Sequence, residues 1–405
     1  MRVDTVRTVD RYLGIPLCCV LTLLRNLKRV LGLEPDASGS PQRIAFIKLS
    51  EQGATVLAYR GIMRAVRQVG RENVYFCCFG NNREILDILG CLPPGNVLTI
   101  RDDSFFRFAA GVFHALRRMR RLRIDTTIDL ELFARISAIL AALSGARRRV
   151  GLHRFTTEGL YRGDLMTHRV QYNPYVHVSA FCEVLVQAAT RDPGETPLAK
   201  ITVPPAEAPF PCFQPTEEES ARVRAMLPEN ADAVLVIHPK AVDEFLPIRQ
   251  WPLERFAQTA QKALERRPGA AIVFTGLPAE KALLDTLAAG LGSPRIVNLA
   301  GALSLRELLA LYTLADVLLT TDGGPAHFAV LTPMDVLVLF GPETPLLYGP
   351  PGSRVETLWA GITCRPCLSA ANHRRSPCTD AQCMHVISVE AVERKLNDCL
   401  ARRGR

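Results

Sequence analysis

The sequence predicts an α/β protein of two doubly wound, Rossmann-like domains facing each other across a cleft. Three observations carry that reading. Short apolar runs alternate with longer helical stretches in two separate series, and a proline-rich polar stretch divides them. An apolar run over residues 315–319 leads into Thr321-Asp322-Gly323-Gly324-Pro325-Ala326-His327, an acidic glycine turn opening a helix. Alternation of this kind lays parallel strands under covering helices. A chain of 405 residues, 48% of them hydrophobic, has room for two cores.

The first series opens with a strand at 43–48, a loop at 49–54 and a helix at 55–69. Strand-like runs recur at 74–79, 97–100, 126–130 and 148–152, with helices at 105–123 and 133–144 between them. The proline-rich stretch 192–230 reads as the interdomain connection. The second series has strands at 233–237, 271–274, 296–299, 316–319 and 336–340. The resulting division is an amphipathic extension at 1–42, a first domain at 43–200 and a linker at 201–230. A second domain follows at 231–387, then a helix and basic tail at 388–405. No GxGxxG fingerprint follows the first strand, which argues against a nicotinamide enzyme.

A net charge of +9 and a pI near 9.1 favour anionic partners. Nucleic acid is disfavoured, because Lys and Arg are spread along the chain and no recognition motif is present. The apolar run Tyr12 to Leu24 is flanked by Arg7, Arg11, Arg25, Lys28 and Arg29. It falls short of the about 20 residues that span a bilayer and lacks a small-residue cleavage site. It reads as an interfacial helix docking on an anionic cytoplasmic leaflet, against the alternative of a helix packed on its own protein. The expected location is therefore cytoplasmic, peripheral on the inner face of the inner membrane, with the 12 cysteines mainly reduced. Helix 105–123 is expected to bury its Phe and Leu face and show its arginines, Arg117, Arg118, Arg120, Arg121 and Arg123.

The turn at 321–327 sits where open α/β sheets bind ligands. N–H groups freed by Gly323 and Gly324 at a helix start attract phosphate, with His327 directed back at it; the competing reading is a tight turn capped by Asp322. Other motifs accompany it: Ile237-His238-Pro239-Lys240, Arg249-Gln250-Trp251-Pro252, Thr275-Gly276-Leu277-Pro278-Ala279-Glu280, Leu303-Ser304-Leu305 and Phe340-Gly341-Pro342-Glu343-Thr344-Pro345. In this order and spacing they resemble glycosyltransferase family 9, the ADP-heptose:lipopolysaccharide heptosyltransferases. The likeness runs from Arg43 onward and is strongest from Ala233 to Val392.

The resemblance implies the GT-B architecture, with inverting transfer from a nucleoside diphosphate sugar, ADP-heptose first, to an anionic lipid-linked saccharide of the lipopolysaccharide core. It implies no cofactor for catalysis. It places Asp322, Gly323, Gly324 and His327 at the pyrophosphate and Lys240 and Arg249 beside the donor phosphates. Glu280 falls on the ribose, and Leu303 at a backbone contact to the base. The alternatives are a sugar-nucleotide epimerase of the same architecture and a catalytically silent nucleotide-sugar-binding subunit.

The first domain departs from the family pattern. Relatives carry Gly-Asp after the first strand, the Asp deprotonating the acceptor; here the loop is Lys48-Leu49-Ser50-Glu51-Gln52-Gly53-Ala54, and Ala54 replaces the acid. Glu51 is the nearest carboxylate and the expected base, with Asp102, Asp103 and Glu131 as alternatives. Arg149, His153, Arg162 and His168 are expected to face the acceptor, against a merely solvated basic surface. Cys364, Cys367, Cys378 and Cys383, with His373 among them, form either a structural zinc tetrad or a set of reduced thiols.

Overall fold

A computed structural model describes residues 8, 10–132, 134–152, 161–203, 210–240, 247–370, 372 and 374–403. They divide into two compact units. The first is Met1–Ala206 with Ala370–Arg374, the second Glu207–Ser369 with Arg375–Arg405.

The first unit begins with α1 (Gly14–Val30), β1 (Ile44–Ile47), α2 (Gln52–Leu57), α3 (Tyr59–Val69), β2 (Val74–Phe79), α4 (Arg83–Leu89) and β3 (Val97–Ile100). It continues with α5 (Phe105–Arg121), β4 (Thr126–Asp129), α6 (Arg135–Leu143), β5 (Arg148–Leu152), β6 (His168–Val170) and α7 (Val178–Ala188). All pairings are parallel, in the order β3-β2-β1-β4-β5-β6. Strands β1, β4 and β5 are buried along their whole length, as a sheet covered on both faces requires. On one face, Ala45, Ile47, Tyr75, Cys77, Leu98 and Ile100 meet Cys18 of α1, Ala115 and Met119 of α5 and Ala138–Ala141 of α6 in one core. Elsewhere α3 and α7 pack closely because Gly61 has no side chain; a Cβ there would lie 3.0 Å from the Cys182 backbone.

The second unit starts earlier than the sequence suggests. The expected linker contains α8 (Glu217–Arg224), with a capping box between Thr216 and Glu219. Glu219 also accepts from Arg306 at 2.5 Å, which fixes this stretch to the unit. Its sheet alternates β7 (Val234–His238), α9 (Leu253–Arg266), β8 (Ala271–Phe274), α10 (Lys281–Leu291), β9 (Ile296–Asn298), α11 (Leu305–Leu314) and β10 (Val317–Thr321). There follow α12 (Gly324–Ala329), β11 (Asp335–Phe340), α13 (Pro345–Tyr348), β12 (Val355–Trp359), α14 (Gln382–His385) and α15 (Val389–Arg402). The order is β12-β11-β10-β7-β8-β9. Read from its first strand, this is the same winding as the first sheet: three strands step one way, and the fourth returns beside the first. Helix α15 closes the core through Val392, Leu396 and Leu400, and the Trp251 indole donates to Ile387 O at 3.0 Å.

Several elements differ from the sequence reading. The helix expected at 55–69 starts at Gln52 and bends at Ala58, whose ψ of −10° separates α2 from α3. The edge strands β6 and β12 carry His168-Arg169 and Glu356-Thr357, too polar to read as buried strands. In α5 the expected Phe and Leu face is buried only in part: Phe108 and Leu116 pack on the core with Val112, whereas Phe105, Phe106 and Phe113 are exposed.

In each unit a buried histidine is held neutral, His168 in the first and His238 in the second. His168 meets the Thr167 hydroxyl at 2.9 Å and His238 the Thr275 hydroxyl at 3.0 Å. Burial above all, with nearby cations assisting, lowers their pKa values from 6.5 to about 4 and about 3. A depressed folded value means that the unfolded chain binds the extra proton, so this stability is complete above the unfolded value and is lost as pH falls through and below it. Each histidine then contributes a slope of about 1.4 kcal/mol per pH unit. Urea unfolding from neutral pH to about pH 5 should show this decline, and His238→Asn should flatten it; an equally steep decline in that variant would assign the slope to other groups.

Candidate functional site

In each sheet the crossovers diverge between the first and fourth strands, leaving a crevice at the strands' carboxyl ends, the place where such sheets bind ligands. In the second unit this is the gap between β7 and β10. Lys240 lies just after β7 with a left-handed φ of 51°, and its ammonium donates to Asp322 O at 3.2 Å, just after β10. Arg249, on the turn before Trp251, approaches Asp322 Oδ2 at 3.4 Å. A Cβ on Gly323 would stand 2.9 Å from Lys240 Nζ, so the lysine lies directly over the turn. Pro325 suits the first turn of α12, and His327 is buried within that helix. Lys240, Arg249, Asp322, Gly323, Gly324 and His327 thus form one constellation with two cations at a helix start.

The role of Asp322 differs from the simple reading of a phosphate ligand. It is 4% exposed and accepts from Arg249. An anion there repels phosphate; what it does is hold Arg249, and through its carbonyl Lys240, at the turn. Glu280 follows β8 and is likewise buried, with Oε2 accepting from Leu277 N–H at 2.7 Å. A Cβ on Gly276 would lie 2.8 Å from that oxygen, so glycine is required there. Leu303 is half-buried after β9, just before Ser304, which caps α11 in a box with Glu307. Glu280 and Leu303 therefore occupy the same sheet edge as the cation turn, on the neighbouring strands.

In the first unit the equivalent crevice lies between β1 and β4. Lys48, buried after β1, donates to Glu51 Oε2 at 2.8 Å and to Glu131 Oε2 at 3.0 Å. Burial opposes its charge, but the carboxylates of Glu131 and Glu51 outweigh that and raise its pKa above the ordinary lysine value. Glu131 also accepts from Leu49 N–H at 2.7 Å, tying the loop to β4. Glu51 itself has a φ of 70°, strained for a residue with a Cβ, and its other oxygen accepts from Arg374 at 2.7 Å. A half-exposed carboxylate thus sits at the switch point between two cations. Of the other carboxylates considered, Asp103 is engaged by Arg107 and Arg101 on the surface.

The acceptor residues read from sequence are placed otherwise. Arg149 is buried and donates to Leu165 O and Ala146 O. Arg162 is buried against the fully buried Asp129 and also donates to Ala134 O. His168 is the neutral core histidine described above. These three hold the unit together and present no cationic surface, because the two guanidinium groups end on backbone carbonyls and Asp129 and the imidazole is neutral. His153 lies outside the described residues.

The four C-terminal cysteines are all free thiols. Cys383 is buried, which together with the neighbouring Cys367 pushes its pKa up to about 11, and Cys378 donates to Asp380 at 3.3 Å. Among the described residues no three Cys, His, Asp or Glu side chains form a group able to hold a metal ion. His373 lies outside the described residues. Arg365, between the thiols, stacks 3.9 Å from the Trp359 ring centre and donates to Glu343 O, contacts that sequence spacing alone gave no sign of.

Two Rossmann-like units, with the cation turn on the second, define the GT-B class of proteins. The family model for glycosyltransferase family 9 (heptosyltransferase) matches residues 112–376, and the chain belongs to that family. It is 30% identical over 132 residues to lipopolysaccharide heptosyltransferase 3 of Escherichia coli, a match covering 32% of this chain and 37% of that protein's length. In fold it is similar to E. coli ADP-heptose lipopolysaccharide heptosyltransferase II, with a TM-score of 0.68 and 18% identity, covering 90% of this chain and all of that one. It is also similar to the E. coli heptosyltransferase WaaC with ADP, with a TM-score of 0.63 and 14% identity, over 88% of this chain and 99% of that one.

Removing Arg249 leaves the buried Asp322 carboxylate without a cation. Arg249→Ala should lower stability by about 1–3 kcal/mol and abolish most of the stabilisation given by a nucleoside diphosphate. Adding Asp322→Asn should restore stability but not nucleotide binding. Melting curves with and without ADP distinguish these; full ADP stabilisation in Arg249→Ala would remove the arginine from the site.

Proposed function

We propose that the chain is an inverting glycosyltransferase that moves a sugar, heptose first, from a nucleoside diphosphate donor to an anionic lipid-linked saccharide of the lipopolysaccharide core. The observation that carries the proposal is the Lys240–Arg249–Asp322 constellation over the glycine turn, in a member of family 9. ADP-heptose is favoured because one fold relative is described as an ADP-heptose enzyme and another was solved with ADP. The acceptor oxygen attacks the anomeric carbon from the face opposite the diphosphate. The carbon–oxygen bond to the diphosphate breaks, and its electrons leave with that group. Lys240, Arg249 and the N–H groups of the turn offset the charge gathering there. Glu51 takes the acceptor proton, with Lys48 fixing one of its oxygens.

Work at the cytoplasmic face of the inner membrane, by peripheral contact, belongs to this proposal; no helix among the described residues is long and apolar enough to cross a membrane. A zinc at Cys364, Cys367, Cys378 and Cys383 is a separate proposal. It requires about one equivalent of metal per chain, lost on Cys364→Ser with Cys367→Ser.

The silent-subunit reading has an observation in its favour: Ala54 stands where the resemblance to the family implies an acid, and Glu51 is held by two cations. Turnover separates the two. A donor binding at a hundred times its dissociation constant should stabilise the chain by roughly 2.7 kcal/mol, which identifies the nucleotide sugar to assay. Glu51→Gln should then lower transfer by roughly a hundred- to ten-thousandfold with donor affinity nearly unchanged, and His327→Ala by on the order of a hundredfold. Retained transfer in Glu51→Gln would exclude that base, and absence of product from the native chain with every donor and acceptor would favour the binding subunit.

A further inference from the structure

The first unit carries an exposed apolar surface that the cation turn of the second does not use. Helix α1 packs inward through Gly14 and Cys18, and Arg25 anchors it by pairing with Glu34 at 2.6 Å and donating to Met166 O at 2.9 Å. Its opposite side carries Leu13, Leu17, Val20, Leu24, Leu27 and Leu31, three and four residues apart, all exposed. Such a stripe marks the face of a helix that meets something.

Helix α5 has the same design. Its inner side, through Ala115 and Met119, enters the same core cluster on the same face of the sheet as Cys18 of α1. Both helices therefore lie in one layer, flanking α6, with their outer sides directed away from the sheet. The outer side of α5 carries Phe106, 83% exposed, with Phe105 and Phe113, followed by the exposed Arg117 and Arg121.

Charge selects the occupant. Residues 14–30 and 105–121 contain basic side chains and no Asp or Glu. The exposed Lys28 closes the apolar stripe of α1, next to Arg29, which is paired with Glu34 and Asp164, and the exposed Arg117 and Arg121 close that of α5. A second copy would set these like charges against each other, whereas an anionic bilayer takes both the apolar side chains and the cations. Aromatic rings beside basic residues suit the headgroup boundary.

We infer that α1 and α5 together form one docking face for an anionic bilayer, in which Phe105, Phe106 and Phe113 insert beside the leucine stripe of the N-terminal helix. The inference rests on the reading of a lipid-linked acceptor and extends it: the membrane contact is built into the folded acceptor unit and is not confined to the N-terminal extension. Its measurement is independent of turnover.

The full chain should float with vesicles of phosphatidylcholine and phosphatidylglycerol, not with phosphatidylcholine alone, and should be released by salt. Val20→Asp with Leu24→Asp, and separately Phe106→Ser with Phe113→Ser, should each reduce flotation roughly tenfold or more. Both pairs are exposed, so melting and nucleotide stabilisation should match the parent. Flotation of the Phe106→Ser, Phe113→Ser chain at the parent's level would overturn the role of α5. A parent that does not float, and whose dimer in sedimentation is dissolved by either pair of substitutions, would give the face to a second copy instead. Failure to transfer sugar to a soluble acceptor counts against the transferase reading alone and leaves the flotation result standing.

Discussion

Everything chemical in this molecule depends on the reversal of strand order between the first and fourth strands of each sheet. Right-handed crossovers force consecutive helices to one face while the sheet grows in one direction, and to the other face once it grows back. At the reversal no helix covers the strand ends. Side chains following β1, β4, β7 and β10 are thus left at an open crevice while their backbones remain anchored in the most buried strands. Lys48 and Glu131 meet at one such place, Lys240 and Asp322 at the other.

The two crevices use charge in related ways. In each, a lysine just after the first strand reaches across to a group just after the fourth. In the second unit the acid is buried and holds Arg249 through its carboxylate and Lys240 through its carbonyl, so both cations stay over the glycine turn. In the first unit Glu131 is the holding acid and Glu51 the outer one, kept in a left-handed backbone conformation that relaxed loops avoid. Lys48 and Arg374 hold the two Glu51 carboxylate oxygens from opposite ends of the chain, which fixes its position at the crevice.

The meeting of Lys240, Arg249 and Asp322 at the glycine turn was legible in the sequence because these residues fall within short motifs whose local structure is set by glycine and proline. Gly276, Gly323 and Pro325 each perform the backbone task their chemistry implies. The burial of the basic residues in the first unit was not legible. Arg149, Arg162 and His168 look like a basic surface when listed along the chain, but all three point inward, the arginines to Asp129 and backbone carbonyls and the histidine to the Thr167 hydroxyl. Nothing in the spacing signals a buried arginine, because its partner is 33 residues away. The exposed phenylalanines of α5 were misread for the converse reason: an amphipathic count assigns aromatic residues to the core, and only packing shows that Ala115 and Met119 already fill it.

The sequence by itself determined the α/β class, the two series of strands, the glycine turn after β10 and the family, since each rests on local periodicity or on residues adjacent in the chain. The tertiary structure decided which charges face one another: that Asp322 grips Arg249, that Lys48 joins Glu51 to Glu131, and that Arg374, more than three hundred positions away, reaches Glu51. It also decided which sides of α1 and α5 remain outside. Periodicity shows that a helix has an apolar side, but the side turned to the core depends on what the rest of the sheet leaves room for.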